Sequence, residues 1–457
     1  MSVKPLLADP AFPGLGVASD PEIMRGVFAD YLWPLRGGTY RVTDCRLSRV
    51  RYRRGTRCVL QYTLRLADSD TGDERIQWVT GVMYAKDRTR RKWEKLQASY
   101  RSEVPDDSSA FEPFTFIPDL GMLVEVFPYD RRLPTLPLVM AGPSPKLERP
   151  LLASFGPGDW HTEAWKVELI RYRAELAATL RFTVQARDDT VGRTDERRFY
   201  AKVYRDEGGE RTYRALQALR SRADEDNEKF TVAAPIAYLS ELKVLLQEET
   251  LGTSLQEMIV QEGDASPAVR KAAEALAALH LEHIPTPQRH PLPNEVAALE
   301  RAGTILRWAC PRLGAEIEET VGAVVASLEE VPPAPTHRDL KLDHILLDGD
   351  RPSLVDLDNF AAADPVLDVA NVLAHLKSMP FRSPLTLEDS WSTAAQAFAE
   401  EYFSHVPRSW RRRLPIHYAG AVLKFSVGFF ARQELDWPGK IATLLEEAKA
   451  SLAGRVW

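Results

Sequence analysis

The chain repeats itself. Residues 50–64, VRYRRGTRCVLQYTL, and 170–184, IRYRAELAATLRFTV, align without a gap, Tyr52 on Tyr172 and Leu60 on Leu180. Two polar stretches follow, ADSDTGDER (67–75) and ARDDTVGRTDER (186–197), each with Asp-Thr near a Gly and each ending in Asp-Glu-Arg. YAK recurs at 84–86 and 200–202, RKWEKLQA (91–98) matches RTYRALQA (211–218), and MLVEVFPYDRRL (122–133) parallels VLLQEETLGTSL (244–255). Matches in one order along two segments are the mark of a duplicated unit, and both copies must satisfy the same fold. Alternating apolar positions around Val59–Leu64 and Ala178–Val184 predict strands, and the Gly- and Asp-bearing tips predict hairpin turns. Tyr213, Leu216 and Leu219 share one helical face. Each copy therefore reads strand, tight connection, strand, hairpin, strand ending in Ala-Lys, helix, strand.

Between the copies, residues 133–161 are dense in Pro and Gly, which marks a boundary. After the second copy the pattern turns helical. Ser266-Pro267 reads as a cap and first-turn proline, and AVRKAAEALAALHLEHIP (268–285) places Val269, Ala272, Leu276 and Leu279 at helical spacing. Residues 391–453 are again helical, with GAVLKFSVGFF as core. The expected organisation is an N-terminal lobe at 1–140, a linker at 141–160, a second lobe at 161–252 and a helical lobe at 253–457. A net charge of −6 supplies no basic field for nucleic acid. No secretory signal pattern and no apolar run of membrane-span length is read, so no membrane partner is expected. Three cysteines, Cys45, Cys58 and Cys310, are odd in number and widely spaced, and read as reduced, buried thiols of a cytoplasmic protein.

The chemistry concentrates in THRDLKLDHILLDGD (336–350) and SLVDLDNF (353–360). Phosphoryl transfer needs a group that positions the acceptor hydroxyl, a metal to neutralise the phosphates, a lysine to hold them and a slot for the base. Asp339 is the candidate base, kept ionised by Lys341, which could also reach a phosphate. His337 would pack beneath the loop as a structural hydrogen-bonder. Asp356, on a short strand over 353–357, is a hard oxygen ligand suited to Mg²⁺, and Asp358 would share its side if the strand continued.

These two motifs resemble the catalytic core of the aminoglycoside phosphotransferase and choline kinase-like superfamily, whose loop runs His-x-Asp-x-x-x-x-Asn. Asp356, Asp364-Pro365 and Asp368-Val369-Ala370 fit its metal motif and the helix start after it. AAEALAALH (272–280), LLQEETLGTSL (245–255) and FYAKVY (199–204) resemble its Leu-x-x-Leu-His helix, its interlobe hinge and its lysine strand. The resemblance covers about 165–380. It implies an α+β, bilobal protein-kinase-like fold, with a β-rich N-lobe and a helical C-lobe. The first copy would form an extra N-terminal lobe resembling a duplicated N-lobe. It implies ATP with Mg²⁺, or Mn²⁺, and a small-molecule hydroxyl acceptor, a sugar or an amino alcohol. Lys202 would anchor phosphate, with Glu210 as its carboxylate partner and Glu207 second. Glu210 also reads as a first-turn acid favoured by the helix dipole. Gln247, Glu248 and Glu249 would present hinge backbone to adenine. Lys86 aligns with Lys202, but Arg90 takes the place of Glu210, so the first lobe is expected to serve another purpose. HRDLK also occurs in protein kinases, but no Asp-Phe-Gly, Ala-Pro-Glu or Gly-rich loop accompanies it.

One position departs from the resemblance. His344 stands where the superfamily has asparagine. Imidazole is a softer ligand than an amide oxygen, so His344 implies either altered metal preference, replacement by Asp343, or a nucleotide- or partner-binding protein that transfers nothing. Outside the motifs, RVRYRRGTR (49–57) reads either as an exposed strand or as a binder of phosphate or an acidic partner. Asp368 reads as a helix cap, and RSWRRRL (408–414) as a helix surface.

Overall fold

A computed structural model describes residues 9–35, 40–99, 109–225, 229–261, 265–284, 286, 288–381 and 388–455. Helices α1 (Leu15–Ala18) and α2 (Pro21–Tyr31) precede β1 (Tyr40–Arg53), β2 (Arg57–Asp68), β3 (Glu74–Tyr84), α3 (Arg88–Ser99), β4 (Phe114–Ile117) and β5 (Met122–Val126). Helices α4 (Leu136–Met140) and α5 (Pro145–Ala153) connect to the second unit. It comprises β6 (Trp160–Arg173), β7 (Ala177–Asp188), β8 (Arg193–Tyr204), α6 (Gly208–Glu225), β9 (Thr231–Val232), β10 (Pro235–Leu239) and β11 (Val244–Glu248). The two five-stranded sheets have the orders β1-β2-β3-β5-β4 and β6-β7-β8-β11-β10, which is one topology used twice.

The register sharpens the repeat. Arg57 pairs with Tyr84 in the first sheet and Ala177 with Tyr204 in the second, so Tyr84 corresponds to Tyr204. The position equivalent to Lys202 is therefore Val82, and the YAK-on-YAK alignment is four residues out of register. Lys86 lies beyond the end of β3, in left-handed backbone at φ 61°. Val82 is buried, so the first sheet carries no lysine at the position of Lys202. The segment read as a linker carries α5, whose Leu147 and Leu151 are buried in the core of the second sheet.

The helical lobe follows, with α7 (Leu255–Gln261), α8 (Ser266–Leu281), α9 (Leu292–Ala309) and α10 (Gly314–Ser327). Short strands come next: β12 (Thr253–Ser254) pairs with β14 (Ile345–Asp348), β14 with β15 (Arg351–Leu354), and β13 (Ala334–Thr336) with β16 (Ala361–Ala363). Helices α11 (Val366–Ser378), α12 (Glu388–His405), α13 (Arg408–Arg411), α14 (Leu414–Ala431) and α15 (Trp437–Leu452) complete it. The result is the two-lobed α+β arrangement expected from the sequence, with a second β-rich unit before it.

α14 corrects one expectation, because it is long and apolar enough to cross a membrane. In this fold 61% of its apolar window is buried inside the protein. Core helices of large lobes are apolar all round for this reason.

The first unit is joined to both lobes rather than appended to them. Leu60, Tyr62 and Leu64 of β2 belong to the same continuous core as α8, α11 and α14. Tyr52 stacks on Trp308 of α9, with ring centroids 3.7 Å apart. The β6–β7 tip is held from the first unit. The Asp130 carboxylate accepts the Tyr172 hydroxyl at 3.0 Å and the Glu175 N–H at 2.5 Å. The Glu175 carboxylate, almost fully buried, pairs with Arg51 at 2.8 Å and with Arg57.

Candidate active site

The sheet and the helical lobe enclose a cavity of about 340 Å³. Lys202 and Tyr204 enter it from β8, Thr212 and Leu216 from α6, Gln247 and Thr250 from the hinge, and Asp343, His344, Asp356 and Asp358 from the helical lobe. Lys202 faces inward because alternate residues of β8 share one side of the sheet. The crossing from β11 to α7 needs Gly252. Its φ is +120°, and a Cβ there would lie 2.6 Å from the Leu347 carbonyl oxygen.

Asp356 and Asp358 reach Lys202 by a route the sequence did not suggest. β15 ends at Leu354, and Asp356 takes left-handed backbone, φ 61° and ψ 49°, before the turn Leu357–Asn359. This reversal, which aspartate tolerates better than most residues, brings both carboxylates to the same ammonium. Lys202 Nζ lies 2.6 Å from Asp356 Oδ1 and 2.6 Å from Asp358 Oδ2. Burial pulls the Lys202 ammonium down, but the charges of Asp358 and then Asp356 outweigh it and raise it above its ordinary value. Burial likewise opposes ionisation of Asp356. The Lys202 ammonium outweighs it and holds the carboxyl well below the usual range. Arg171 adds a more distant cation, 3.9 Å from Asp356 Oδ2.

Glu210 is not the partner of Lys202. It pairs with Arg214, one turn along α6, and Glu207 accepts the Tyr238 hydroxyl. The buried face of α6 carries Thr212, Ala215, Leu216 and Leu219. Residue 210, two positions before 212, points about 200° away from that face. Thr212 occupies the inward position instead, and its hydroxyl and that of Tyr204 lie 3.4 and 2.7 Å from Asp358 Oδ1.

The hinge is also corrected. The N–H of Glu248 donates to the Ala234 carbonyl at 2.9 Å and that of Glu249 to the Arg198 carbonyl at 3.1 Å, so neither is free for a base. Gln247 lines the cavity. So does Thr250, missed in the sequence, whose buried hydroxyl oxygen has no partner among the described residues.

The loop 337–344 is held from below. His337 is fully buried, and its Nε2 donates to the Val355 carbonyl at 2.8 Å. Asp368 does not cap α11. That task falls to Asp364, whose Oδ1 accepts the Val366 N–H at 3.0 Å. Asp368 accepts the N–H groups of His337 and Arg338, both at 2.6 Å, and contacts His280 Nε2 at 3.1 Å. Two amides donating to one buried carboxylate fix the backbone just before Asp339, where Arg338 sits at φ 68°.

The Asp339 carboxylate pairs with Lys341 at 2.9 Å. Lys341 is thus placed beside the candidate base, and no phosphate contact is needed to explain its position. His344 Nδ1 lies 2.9 Å from the Asp339 carbonyl. A carbonyl only accepts, so Nδ1 carries the proton. Burial lowers the His344 imidazole below its ordinary value, partly offset by Asp356, which keeps the ring neutral. Nε2 therefore presents a lone pair, 3.5 Å from Asp356 Oδ2. An imidazole lone pair and a carboxylate oxygen facing one another form a donor set that fits a divalent cation. Asp343, half exposed, lies farther off, 3.9 Å from His344 Nε2.

Residues 179–415 match the model of the phosphotransferase enzyme family. No curated protein matches the chain. Among solved structures, a choline/ethanolamine kinase family protein from Mesorhizobium loti is 18% identical, with a TM-score of 0.42, covering 60% of this chain and 89% of its own. Choline kinase from Cryptosporidium parvum Iowa II is 12% identical, with a TM-score of 0.44 and coverage of 64% and 89%. Plasmodium vivax ethanolamine kinase is 12% identical, with a TM-score of 0.44 and coverage of 79% and 94%. The matched span contains Lys202, the loop of Asp339, and Asp356, and the chain belongs to the phosphotransferase enzyme family.

Proposed function

We propose that the protein transfers the terminal phosphoryl group of ATP to a hydroxyl of a small molecule, a sugar or an amino alcohol, in the cytoplasm. The observation that carries this reading is the meeting of Lys202, Asp356, Asp358 and His344 in one cavity, with the backbone of Asp339 bonded to His344. Asp339 orients the acceptor hydroxyl and takes its proton as the oxygen attacks. Lys202 supplies the positive charge for the nucleotide phosphates, and Arg171 adds to it. Asp356, His344 Nε2 and Asp358 would hold Mg²⁺ or Mn²⁺, which neutralises charge building on the phosphates. Thr250 offers its hydroxyl to the adenine edge. The test is ATP-dependent phosphorylation over a panel of sugars, amino alcohols and aminoglycosides, with either metal. Turnover of none of them with both metals, alongside normal nucleotide binding, would sink it.

A nucleotide-binding protein without transfer has two observations on its side: Lys202 is already engaged by both aspartates, and Thr212 rather than an acid takes the inward position on α6. Calorimetry combined with the acceptor panel separates the two readings.

His344 is the position that tunes the metal. An imidazole nitrogen favours Mn²⁺ over Mg²⁺ more than an amide oxygen does. His344→Asn is expected to shift the ratio of Mg²⁺- to Mn²⁺-supported rates upward by about tenfold. Initial rates with each metal check it, and an unchanged ratio would remove His344 from the metal site.

The β6–β7 tip roofs the same cavity, since Arg171, Arg173 and Ala177 line it. Glu175→Ala is expected to cost ~1–3 kcal/mol of stability, less than a fully buried pair because both guanidiniums keep some solvent. The loosened tip should also raise the KM for nucleotide several-fold. Urea unfolding and nucleotide titration measure the two effects, and an unchanged KM would show that the first unit does not act through this tip.

A further inference from the structure

A second, smaller cavity of about 160 Å³ lies where the first unit, the β6–β7 tip and the end of α14 meet. Arg49, Arg51, Arg173 and Arg432 line it, with Gln61 and Gly428 among the remaining walls. Four guanidiniums in so small a space repel one another unless anions intervene.

Three acids sit nearby, and all are engaged; Asp130, whose charge bears on Arg51, already accepts from the Tyr172 hydroxyl and the Glu175 N–H. Glu175 is bound by Arg51 and Arg57. Glu434 accepts from Arg432 Nε at 2.8 Å and from Lys440 at 3.1 Å. Among the described residues, Arg49 and Arg173 have no side-chain hydrogen bond or ion pair, and the buried Nε of Arg173 and Nη2 of Arg432 lack acceptors. Burial, and then the like charges of Arg173, Arg171, Arg432 and Arg51, pull the Arg49 guanidinium down to about 10. It therefore stays charged at neutral pH, and the cluster keeps a surplus of positive charge. The backbone makes room for it, because a Cβ on Gly428 would lie 2.9 Å from Arg432 Nη1.

Guanidiniums that line a small cavity with too few acids to pair them match a tetrahedral oxyanion, whose oxygens accept several forked hydrogen bonds at once. The cavity is less than half the size of the one where nucleotide binding is proposed. We propose that this junction is a binding site for a phosphate group, separate from the nucleotide cavity and joined to it through Arg173, which lines both. The ligand is either free inorganic phosphate or the phosphate of a small monoester. The site ties the first unit to the β6–β7 tip, so its occupancy would steady the roof of the nucleotide cavity. It also assigns a role to the basic stretch 49–57 that the transfer chemistry leaves unused. The proposal does not depend on catalysis.

The test is calorimetric titration of the protein with inorganic phosphate and with glycerol phosphate, in phosphate-free buffer containing about 150 mM chloride, near physiological ionic strength. The wild-type protein should bind saturably, and Arg49→Gln/Arg432→Gln should weaken binding by at least about tenfold. Without phosphate the double variant should melt close to the wild type, since the like-charge repulsion it loses offsets the lost Arg432–Glu434 pair, and it should lose the phosphate-induced rise in melting temperature. If it does not fold, the two single variants carry the same comparison. Tighter binding of glycerol phosphate identifies a monoester as the ligand, and equal or weaker binding identifies free phosphate. No saturable binding in the wild type, or equal affinity in the double variant, would overturn the proposal.

Discussion

Asp339→Asn is expected to lower kcat by about 10²–10⁴, the range for losing a positioned general base. The amide keeps the size of the carboxylate but cannot take the hydroxyl proton. The substitution should leave the fold intact. The side chain is about one-third exposed and its pairing with Lys341 is a surface interaction, worth ~1 kcal/mol or less. The loop contact that matters for structure, the Asp339 carbonyl accepting from His344, belongs to the backbone and survives. Nucleotide affinity should also survive, because Asp339 is not among the residues lining the cavity where nucleotide binding is proposed. The measurement is initial rate with ATP and the acceptor that the wild-type protein phosphorylates, together with nucleotide calorimetry. A variant that keeps full turnover would exclude Asp339 as the base.

Asp368→Ala should have the largest effect on stability, roughly 3–5 kcal/mol. The carboxylate is fully buried and serves three donors. Truncation strands two backbone N–H groups and His280 Nε2 without water to replace their acceptor. The His280 ring links onward to the Tyr402 hydroxyl at 2.7 Å, so the damage reaches α12. Arg338 at φ 68° would also lose the bond that holds its strained backbone. Urea unfolding gives the difference directly. A loss below about 1 kcal/mol would show that the loop is held by other contacts. Activity should fall as well, even in variant protein that remains folded, because the backbone entering Asp339 is no longer fixed.

The repeat and the loop over 337–344 were legible because both are local patterns. Strand alternation, hairpin tips and a helical stripe repeat with short periods that survive in the order of residues. The same holds for His337, Asp339, Lys341 and Asp356, whose spacing along the chain reflects how far a tight loop and a short strand can carry them. The departure at His344 was visible for the same reason, as one residue out of place in a fixed spacing.

Other features depended on contacts that no local pattern encodes. YAK at 84–86 looked like YAK at 200–202, yet strand register sets Val82, not Lys86, opposite the role of Lys202. A four-residue slip is invisible until the strands are paired. Glu210 was chosen for its charge and its place after Lys202, but helical rotation turns it outward and leaves Thr212 inside. The hinge donors were assigned before it could be known which N–H groups neighbouring strands already use. Asp368 looked like a cap because it begins a helix, and only packing shows that it holds the backbone of His337 and Arg338 instead.

The sequence by itself determined which residues could do chemistry and in what order the elements run, because both are written in spacing and periodicity. Tertiary structure alone decided who meets whom. The left-handed turn at Asp356 delivers two aspartates to one lysine. The packing of two like sheets against one helical lobe gathers Arg49, Arg173 and Arg432 from distant parts of the chain. Those meetings depend on register, rotation and burial summed over the whole fold.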